Sequence, residues 1–420
     1  MSITKEKLNK VVEAVSDGGV FNQIANFDKG KTDHLKGVSF RDPYSKEGQL
    51  KRLSDLKEQT STVLPYLSGD KKFEEHETLK GNIENFIGMS MIPTGLAGPI
   101  VINGPNASGG FFFPLATSEG ALVASYSRGA KACRDSEPIK AICLMEGVQR
   151  CPVFRFKDLL ELGKFVVWMM AQKEKYVEIT RQHSNYAQLS DMEFNIEGNV
   201  INIQFEFTTG DASGQNMVTI CTKAICDYII SNTPVQPVEW YIEGNMSGDK
   251  KATMNSFQSV RGKNVTAEVT LTREAVTNVL KSTPEKMFDY WRTSSMSVVK
   301  SGAIGAQGHV ANGLTALFIA CGQDAACVSE ASVGITRFDL TEDGGLYATV
   351  TLPNLIVGTV GGGTSLPTQR ECLELMDCYG PGKAKKFAEI CAAVCLAGEL
   401  SIAAALSAGH FASAHEALGR

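Results

Sequence analysis

The run Phe194-Asn195-Ile196-Glu197-Gly198-Asn199-Val200-Ile201-Asn202-Ile203-Gln204-Phe205-Glu206-Phe207 alternates apolar and polar side chains on both sides of a Gly-Asn pair. Period-two alternation sends successive side chains to opposite faces of a strand, and Glu197-Gly198-Asn199 supplies a turn, so the run reads as a β-hairpin. Upstream, residues 153–156 read as a short strand, followed by a helix that turns Leu159, Leu160, Leu162, Phe165 and Val166 toward a core. Downstream, Ile220, Ala224, Ile225, Tyr228 and Ile229 recur at helical spacing before a strand over 238–242. The order β-α-β-β-α-β is that of the split βαβ, or ferredoxin-like, unit and predicts a small domain over residues 152–242.

Gly and Ala are frequent over 87–151 and again from about 253 onward, so the small unit is read as an insertion into a larger domain made of 87–151 plus 253–420. Residues 1–86 are polar and helix-prone, with Leu50, Leu53 and Leu56 on one face between charges, and read as an N-terminal helical region. The expected class is therefore α+β: a large Gly/Ala-rich domain of helices and strands carrying an inserted ferredoxin-like domain. A last long helix over 384–408 is dense in Ala, Ser and Gly, which permits close helix packing.

With 420 residues, 43% of them apolar and 21% charged, the chain has the composition of an ordinary globular protein. A formal charge of −5 without basic clusters argues against nucleic acid as a partner. The N-terminus is charged from Lys5 and has no apolar signal core, and the longest apolar stretch, 390–409, carries Glu399 among alanines. It reads as a buried helix, so no membrane span is expected and the cytoplasm is the expected compartment. Eleven cysteines without a C-x-x-C pair or a neighbouring histidine read as reduced core residues, with neither disulfide nor metal expected.

Between the hairpin and the next helix lies Thr208-Thr209-Gly210-Asp211-Ala212-Ser213-Gly214-Gln215-Asn216-Met217, whose glycines let backbone N–H groups approach an anion at a helix start. It lacks the G-x-G-x-x-G pattern, and on its residues alone an Asp-capped turn explains it as well as phosphate binding does. A second run, Gly358-Thr359-Val360-Gly361-Gly362-Gly363-Thr364, reads either as a flexible turn or as backbone brought close to a planar ring. Glu119, Lys250, Asp324 and His415 each sit among small residues that would bury them, and a buried charge needs partners or a task. By spacing alone, separate surface or paired residues are the plainer reading of the four.

Glu84-Asn85-Phe86-Ile87-Gly88, Gly95-Leu96-Ala97-Gly98-Pro99, Ala116-Thr117-Ser118-Glu119-Gly120, Asp249-Lys250-Lys251, Cys321-Gly322-Gln323-Asp324, the 358–364 run and Leu396-Ala397-Gly398-Glu399-Leu400 occur in that order. Over about residues 50 to 417 the chain resembles the 3-hydroxy-3-methylglutaryl-CoA reductase family, and its Ala97-Gly98-Pro99 and Asp249-Lys250-Lys251 forms resemble class I without the membrane-anchor region. The resemblance implies reduction of hydroxymethylglutaryl-CoA to mevalonate and CoA by two hydrides from NADPH, in a homodimer or higher homo-oligomer whose site lies between subunits. It implies Lys250 as oxyanion stabiliser, Glu119 as proton donor, Asp324 as the bridge between them, and His415 as the acid that protonates the departing thiolate. Arg150, with Asp249, Lys251 and Asn312 beside it, corresponds to the holder of the substrate carboxylate, while Ser125, Arg128 and His309 correspond to the CoA side. Asp211, Ala212, Ser213, Gly214, Gln215 and Asn216 fall on the dinucleotide loop, with Ser213 and Gln215 in place of the usual methionines, and Gly361 and Gly362 fall beside the cofactor.

The resemblance breaks at three further positions. Asn185 stands where the family usually has the arginine that holds the NADP 2′-phosphate, which leaves NADH open as the cofactor. Glu243 stands where a serine usually bonds the substrate carboxylate, and Arg292 replaces a usual lysine. Two carboxylates at about 4 Å repel by on the order of 4 kcal/mol at an effective dielectric near 20. Either Glu243 points away, or the acyl chain differs and the chain reduces a related acyl thioester; a non-catalytic CoA-binding homologue is the remaining alternative.

Overall fold

The computed structural model describes residues 32–39, 42–257 and 261–409, with a few isolated positions before residue 32. Helix α1 spans Lys46–Thr60 and is capped by the Ser45 hydroxyl, which accepts from the Gly48 amide. Of its three leucines only Leu56 is buried and Leu50 is exposed. Three steps at 100° per residue carry each next leucine 60° around the helix, so 50 and 56 lie 120° apart. Two short helical turns, Pro65–Ser68 and His76–Leu79, complete the helical content described over 42–86.

Strand β1, Thr94–Asn103, pairs antiparallel with β2, Ser108–Ala116, and runs parallel to the start of β3, Ile139–Arg150. Helix α2, Leu122–Ser136, joins β2 to β3. The chain then passes through β4 (Val153–Arg155), helices α3 (Leu159–Met170) and α4 (Lys173–His183), and the hairpin β5 (Gln188–Glu197) and β6 (Val200–Thr208). Helix α5, Gln215–Asn232, leads to β7, Glu239–Tyr241. Strand β8 is Gly262–Leu271; α6 (Pro284–Ser301) and α7 (Val310–Ala320) follow. Strands β9 (Ile335–Leu340) and β10 (Leu346–Leu355) then precede α8 (Pro367–Leu375) and α9 (Ala384–Ser407).

Among the described residues ten strands form one sheet, with β3 as the hinge of its topology. Residues 140–147 of β3 pair with β8, and 148–150 pair with β6. Beyond that junction the strands lie in the order β7-β4-β6-β5, every neighbour antiparallel. The molecule is thus a mixed helix-and-strand fold.

The hairpin holds where the alternation placed it, and Gly198 takes φ +57° in its turn. Ile201, Ile203, Phe205 and Phe207 are fully buried, and Tyr176 of α4 meets Phe205 edge-on at 5.9 Å. The opposite face departs from expectation: Gln204 and Glu206 are buried too, where β6 also pairs with the end of β3 and Gln149 Nε2 donates to Glu206 at 3.2 Å. Two helices, not one, separate β4 from β5. Helix α4 buries only Tyr176, Ile179 and Thr180 and otherwise reads as polar chain. Leu159, Leu160 and Ile220, expected in the core, are exposed, while Leu162, Phe165, Val218, Cys221 and Ile225 carry the buried stripes.

Helix α9 is long and apolar enough to cross a membrane, yet it lies inside the fold and is buried along most of its length. Small residues make that possible. A Cβ on Gly129 of α2 would stand 1.8 Å from the Ala397 carbonyl oxygen, and one on Gly398 would stand 2.4 Å from the Tyr126 ring. All eleven cysteines are free thiols, ten of them buried.

Gly129→Ala should therefore lower stability. The substitution gains roughly 1 kcal/mol of helix propensity but forces α2 and α9 apart, for an expected net loss of about 2 kcal/mol in urea unfolding. An unchanged midpoint would contradict the contact.

Candidate functional site

Lys250 sits on a tight turn in which Gly248 and Lys250 take φ +74° and +57°, and the Lys251 amide closes onto the Gly248 carbonyl at 3.1 Å. A non-glycine residue in the left-handed region is strained by about 1–2 kcal/mol and needs support from its surroundings. The support is visible: the Lys250 amide donates to Glu330 Oε1 at 3.0 Å. Its ammonium reaches Asp324 Oδ2 at 3.0 Å, and that hydrogen bond holds it above the usual lysine range. The small residues around these groups shape turns and do not bury them: Lys250 and Asp324 are 44% and 39% exposed, and Glu119 is also exposed, against expectation. Asp324 in addition caps the short turn that follows it, accepting from the Ala326 amide at 3.0 Å.

Behind the turn lies a charge pair sealed from water, with partly buried charges around it. Arg261 is 2% exposed and Glu330 0%, with Nε and Oε2 at 2.6 Å, and Arg261 Nη2 reaches Asp249 Oδ1 at 2.5 Å. Asp249 Oδ2 also accepts from Arg150 Nη1 at 3.0 Å. Burial pushes the Asp249 carboxyl up, but Arg261 and Arg150 outweigh it and hold the group below the usual range. Burial also pushes Glu330 up, against the pull of Arg261 and the Lys250 amide. Glu243 does not point away: Oε2 lies 3.3 Å from Arg150 Nη1 and 3.0 Å from the Ser247 hydroxyl. Lys251 joins the group only through its ammonium on the Asp249 carbonyl oxygen, at 2.9 Å. Arg292 is absent from it, paired instead with Asp289 on α6.

A second constellation lines a cleft of about 480 Å³ that holds Glu119, Ser125, Arg128, His309 and Asn312. Asn312 Nδ2 donates to Glu119 Oε2 at 2.8 Å, so Asn312 lies with Glu119 and not with Arg150, a correction to its expected place. Arg128 spends Nε and Nη2 on Ser401 of α9, at 3.0 Å to the hydroxyl and 2.9 Å to the carbonyl, and Ser125 shares the same hydroxyl at 2.9 Å. His309 stacks on Tyr126 at 5.0 Å, and burial pushes it down to about 4, so its ring is neutral near pH 7. Glu399 reaches in from α9 to accept the Gly308 and His309 amides, at 2.5 and 2.6 Å. Among the described residues no hydrogen bond or ion pair joins Glu119 to Lys250 or Asp324, so Asp324 pairs with the lysine alone within one chain. His415 lies outside the described residues.

Strand pairing brings the loop after β6 and the loop before β5 to the same end of the hairpin, since Gln188 faces Thr208. Asn185 is exposed there, and the Ser184 hydroxyl folds its loop by accepting the Tyr186 and Ala187 amides. In the other loop Gly214 takes φ +82° just before α5, and Thr209 closes onto the Ala212 carbonyl. Asp211 is already engaged: its carboxylate accepts the Gly382 and Ala384 amides, at 2.7 and 3.0 Å, and caps α9. Gln215 bonds Cys327 Sγ at 2.9 Å, and its carbonyl lies 3.4 Å from Arg150 Nη2. The Gly358 backbone packs against Ser213, whereas the Cβ directions of Gly361 and Gly362 face open space.

Comparison with known proteins identifies the family. A family profile described as hydroxymethylglutaryl-coenzyme A reductase matches residues 49–420. A relative of that name from Methanocaldococcus jannaschii is 41% identical over 352 residues, which are 83% of this chain and 87% of the relative. The chain belongs to the hydroxymethylglutaryl-coenzyme A reductase family. A second reductase of that name, from Aeropyrum pernix, is 43% identical over 346 residues, covering 81% of this chain and 82% of that one. The fold is shared with the class II reductase of Streptococcus pneumoniae, solved bound to NADPH in open conformations, at a TM-score of 0.69 and 18% identity over 87% of this chain and 98% of that one.

Sequence reading missed Arg261 and Glu330 in this reductase. Neither stands in a pattern, and what marks them is burial, which a sequence without a fold does not display. Glu399, a charge within an apolar stretch and a motif but given no task by the sequence, is the anchor of the 308–309 backbone.

Burial pushes the Glu399 carboxyl up to about 7, partly offset by the two amides it accepts. A carboxyl raised on folding binds its proton more tightly in the native state. Its contribution is therefore present below the unfolded value of roughly 4.3 and is lost as pH rises through about 7. Glu399→Gln should flatten the fall in urea-measured stability between pH 5 and 7.5; an identical fall in both proteins would remove Glu399 as its source.

Proposed function

We propose that this chain reduces 3-hydroxy-3-methylglutaryl-CoA to mevalonate and free CoA, consuming two reduced nicotinamides and two protons per thioester. The observation that carries the reading is the Lys250–Asp324 pair at 3.0 Å, an ammonium fixed on a supported turn at the edge of a charged recess. The nicotinamide supplies the hydrides. The chain fits such a cofactor: Gly361 and Gly362 leave open space on their Cβ sides, and the Asp211–Asn216 loop leads into the N-terminus of an 18-residue helix whose first amides have no helical partner.

In this reading Lys250 stabilises the oxyanion that develops when the thioester carbonyl is attacked, and Asp324 keeps the amine charged. Glu119 supplies a proton to the reduced oxygen, held in place by Asn312. His415 protonates the departing thiolate, whose unperturbed pKa near 8.5 makes an acid partner useful at neutral pH. Arg150 receives the carboxylate end of the acyl chain with Lys251 nearby, and Ser125, Arg128 and His309 line the path of CoA.

We infer further that residues 152–242 act as a ferredoxin-like, dinucleotide-binding small domain, a reading supported by the antiparallel order β7-β4-β6-β5. The large domain is then 87–151 with 253–420. The working form is at least a homodimer: Glu119 and Lys250 lie in separate constellations of one chain, and Ile87 and Met91 are almost fully exposed. Asn185 offers hydrogen bonds to ribose hydroxyls but no charge for a 2′-phosphate, so NADH should serve within about tenfold of NADPH, the scale of one lost contact.

The test is oxidation of NADPH and, separately, of NADH by the purified chain with hydroxymethylglutaryl-CoA, alongside Lys250→Ala. Two nicotinamides oxidised per CoA released, and loss of more than nine-tenths of the rate in a normally folded Lys250→Ala, are expected. A variant that keeps more than about a tenth of the rate would remove Lys250 from the mechanism, and absence of turnover with either cofactor would remove the reaction.

A further inference from the structure

Arg150 Nη1 already faces two carboxylates, Asp249 Oδ2 at 3.0 Å and Glu243 Oε2 at 3.3 Å. Nη2 lies against the Gln215 carbonyl at 3.4 Å, and Nε, buried, has no acceptor among the described residues. Asp249 is shared with Arg261 and serves both guanidinium groups. Among the described residues Glu243 has no second cation, and it is firmly seated. Its Oε2 accepts from the Ser247 hydroxyl at 3.0 Å and from the Cys151 amide at 3.3 Å, while Oε1 accepts the Asn245 amide at 2.8 Å. These three donors tie the carboxylate to the 243–247 turn and to Cys151, and moving it aside would leave backbone N–H groups unpaired. An anion that comes to Arg150 therefore meets a cation whose charge is already matched, beside an acid that does not withdraw.

We propose that Glu243 is a specificity-determining residue that disfavours a terminal carboxylate on the acyl chain at Arg150, and so admits acyl-CoA thioesters with an uncharged acyl end alongside hydroxymethylglutaryl-CoA. The proposal rests on the reading of Arg150 as the acyl anchor. Glu243 acts on the ground-state affinity for the acyl end, because its partners lie on the Arg150 side of the turn and not at Lys250 Nζ or Asp324.

The test measures dissociation constants by calorimetry, without nicotinamide, for hydroxymethylglutaryl-CoA and for 3-hydroxy-3-methylbutanoyl-CoA, which is the same chain without the carboxylate. Wild type, Glu243→Gln, Glu243→Ser and Arg150→Gln are compared, and Gln keeps a carbonyl for the turn amides if the Ser variant fails to fold. The expected result is that both Glu243 variants bind hydroxymethylglutaryl-CoA about tenfold more tightly, or 1.4 kcal/mol, while the neutral thioester changes by less than about twofold. Equal tightening of both thioesters, or no tightening of either, overturns the role of Glu243 if Arg150→Gln still weakens hydroxymethylglutaryl-CoA selectively. If Arg150→Gln shows no selective weakening, the anchor reading fails, and this inference falls with it.

Discussion

A guanidinium buried at Arg261 sets the terms for the region around Lys250. A charge withdrawn from water at that depth is tolerated only with close counter-charges, and removing one partner of such a pair typically costs about 3–5 kcal/mol. Asp249 and Glu330 answer that demand from different parts of the chain. Each then has one oxygen left for a neighbour: Asp249 turns its second oxygen to Arg150, and Glu330 turns its own to the Lys250 amide. The strained turn that presents the lysine is thus fixed from beneath by ionic geometry. Its ammonium is fixed from the side by Asp324, six residues before Glu330 on the same local segment.

The other half of the site depends on packing. Gly129 and Gly398 let α2 and α9 approach until backbone and ring are in contact, and that depth places Ser401 and Glu399 where polar partners wait. Ser401 takes up the Arg128 fork and the Ser125 hydroxyl; Glu399 takes up two consecutive amides and orders the strand of chain that carries His309. A larger residue on the seam would move both groups together, since one rigid helix carries them.

How much of this the sequence displayed follows the range of each signal. The hairpin at 194–207 was legible because alternation and a Gly-Asn turn are local. Helix α4 was not, because three buried residues in eleven leave too narrow a stripe. Exposure of Leu159, Leu160 and Ile220 shows the limit of apolar spacing, which finds a helix but not its rotation against the sheet. Ordered motifs singled out the candidate residues, and of the expected Glu119–Asp324–Lys250 bridge one chain displays the Lys250–Asp324 half. Glu330 and Arg261 were invisible because their importance arises only when remote segments meet. Asn312 was assigned to the wrong neighbour because shared membership of a site does not specify which hydrogen bond is made.

The central claim is that buried Glu330 holds the Lys250 turn in its strained form, and residue-resolved hydrogen exchange at the Lys250 amide tests it most directly. The account predicts exchange slowed by about three orders of magnitude or more relative to an open loop, an opening cost near 4 kcal/mol, despite the half-exposed side chain. Exchange at the rate of an unstructured amide would contradict it, and would mean that the turn owes its shape to something other than the buried charges.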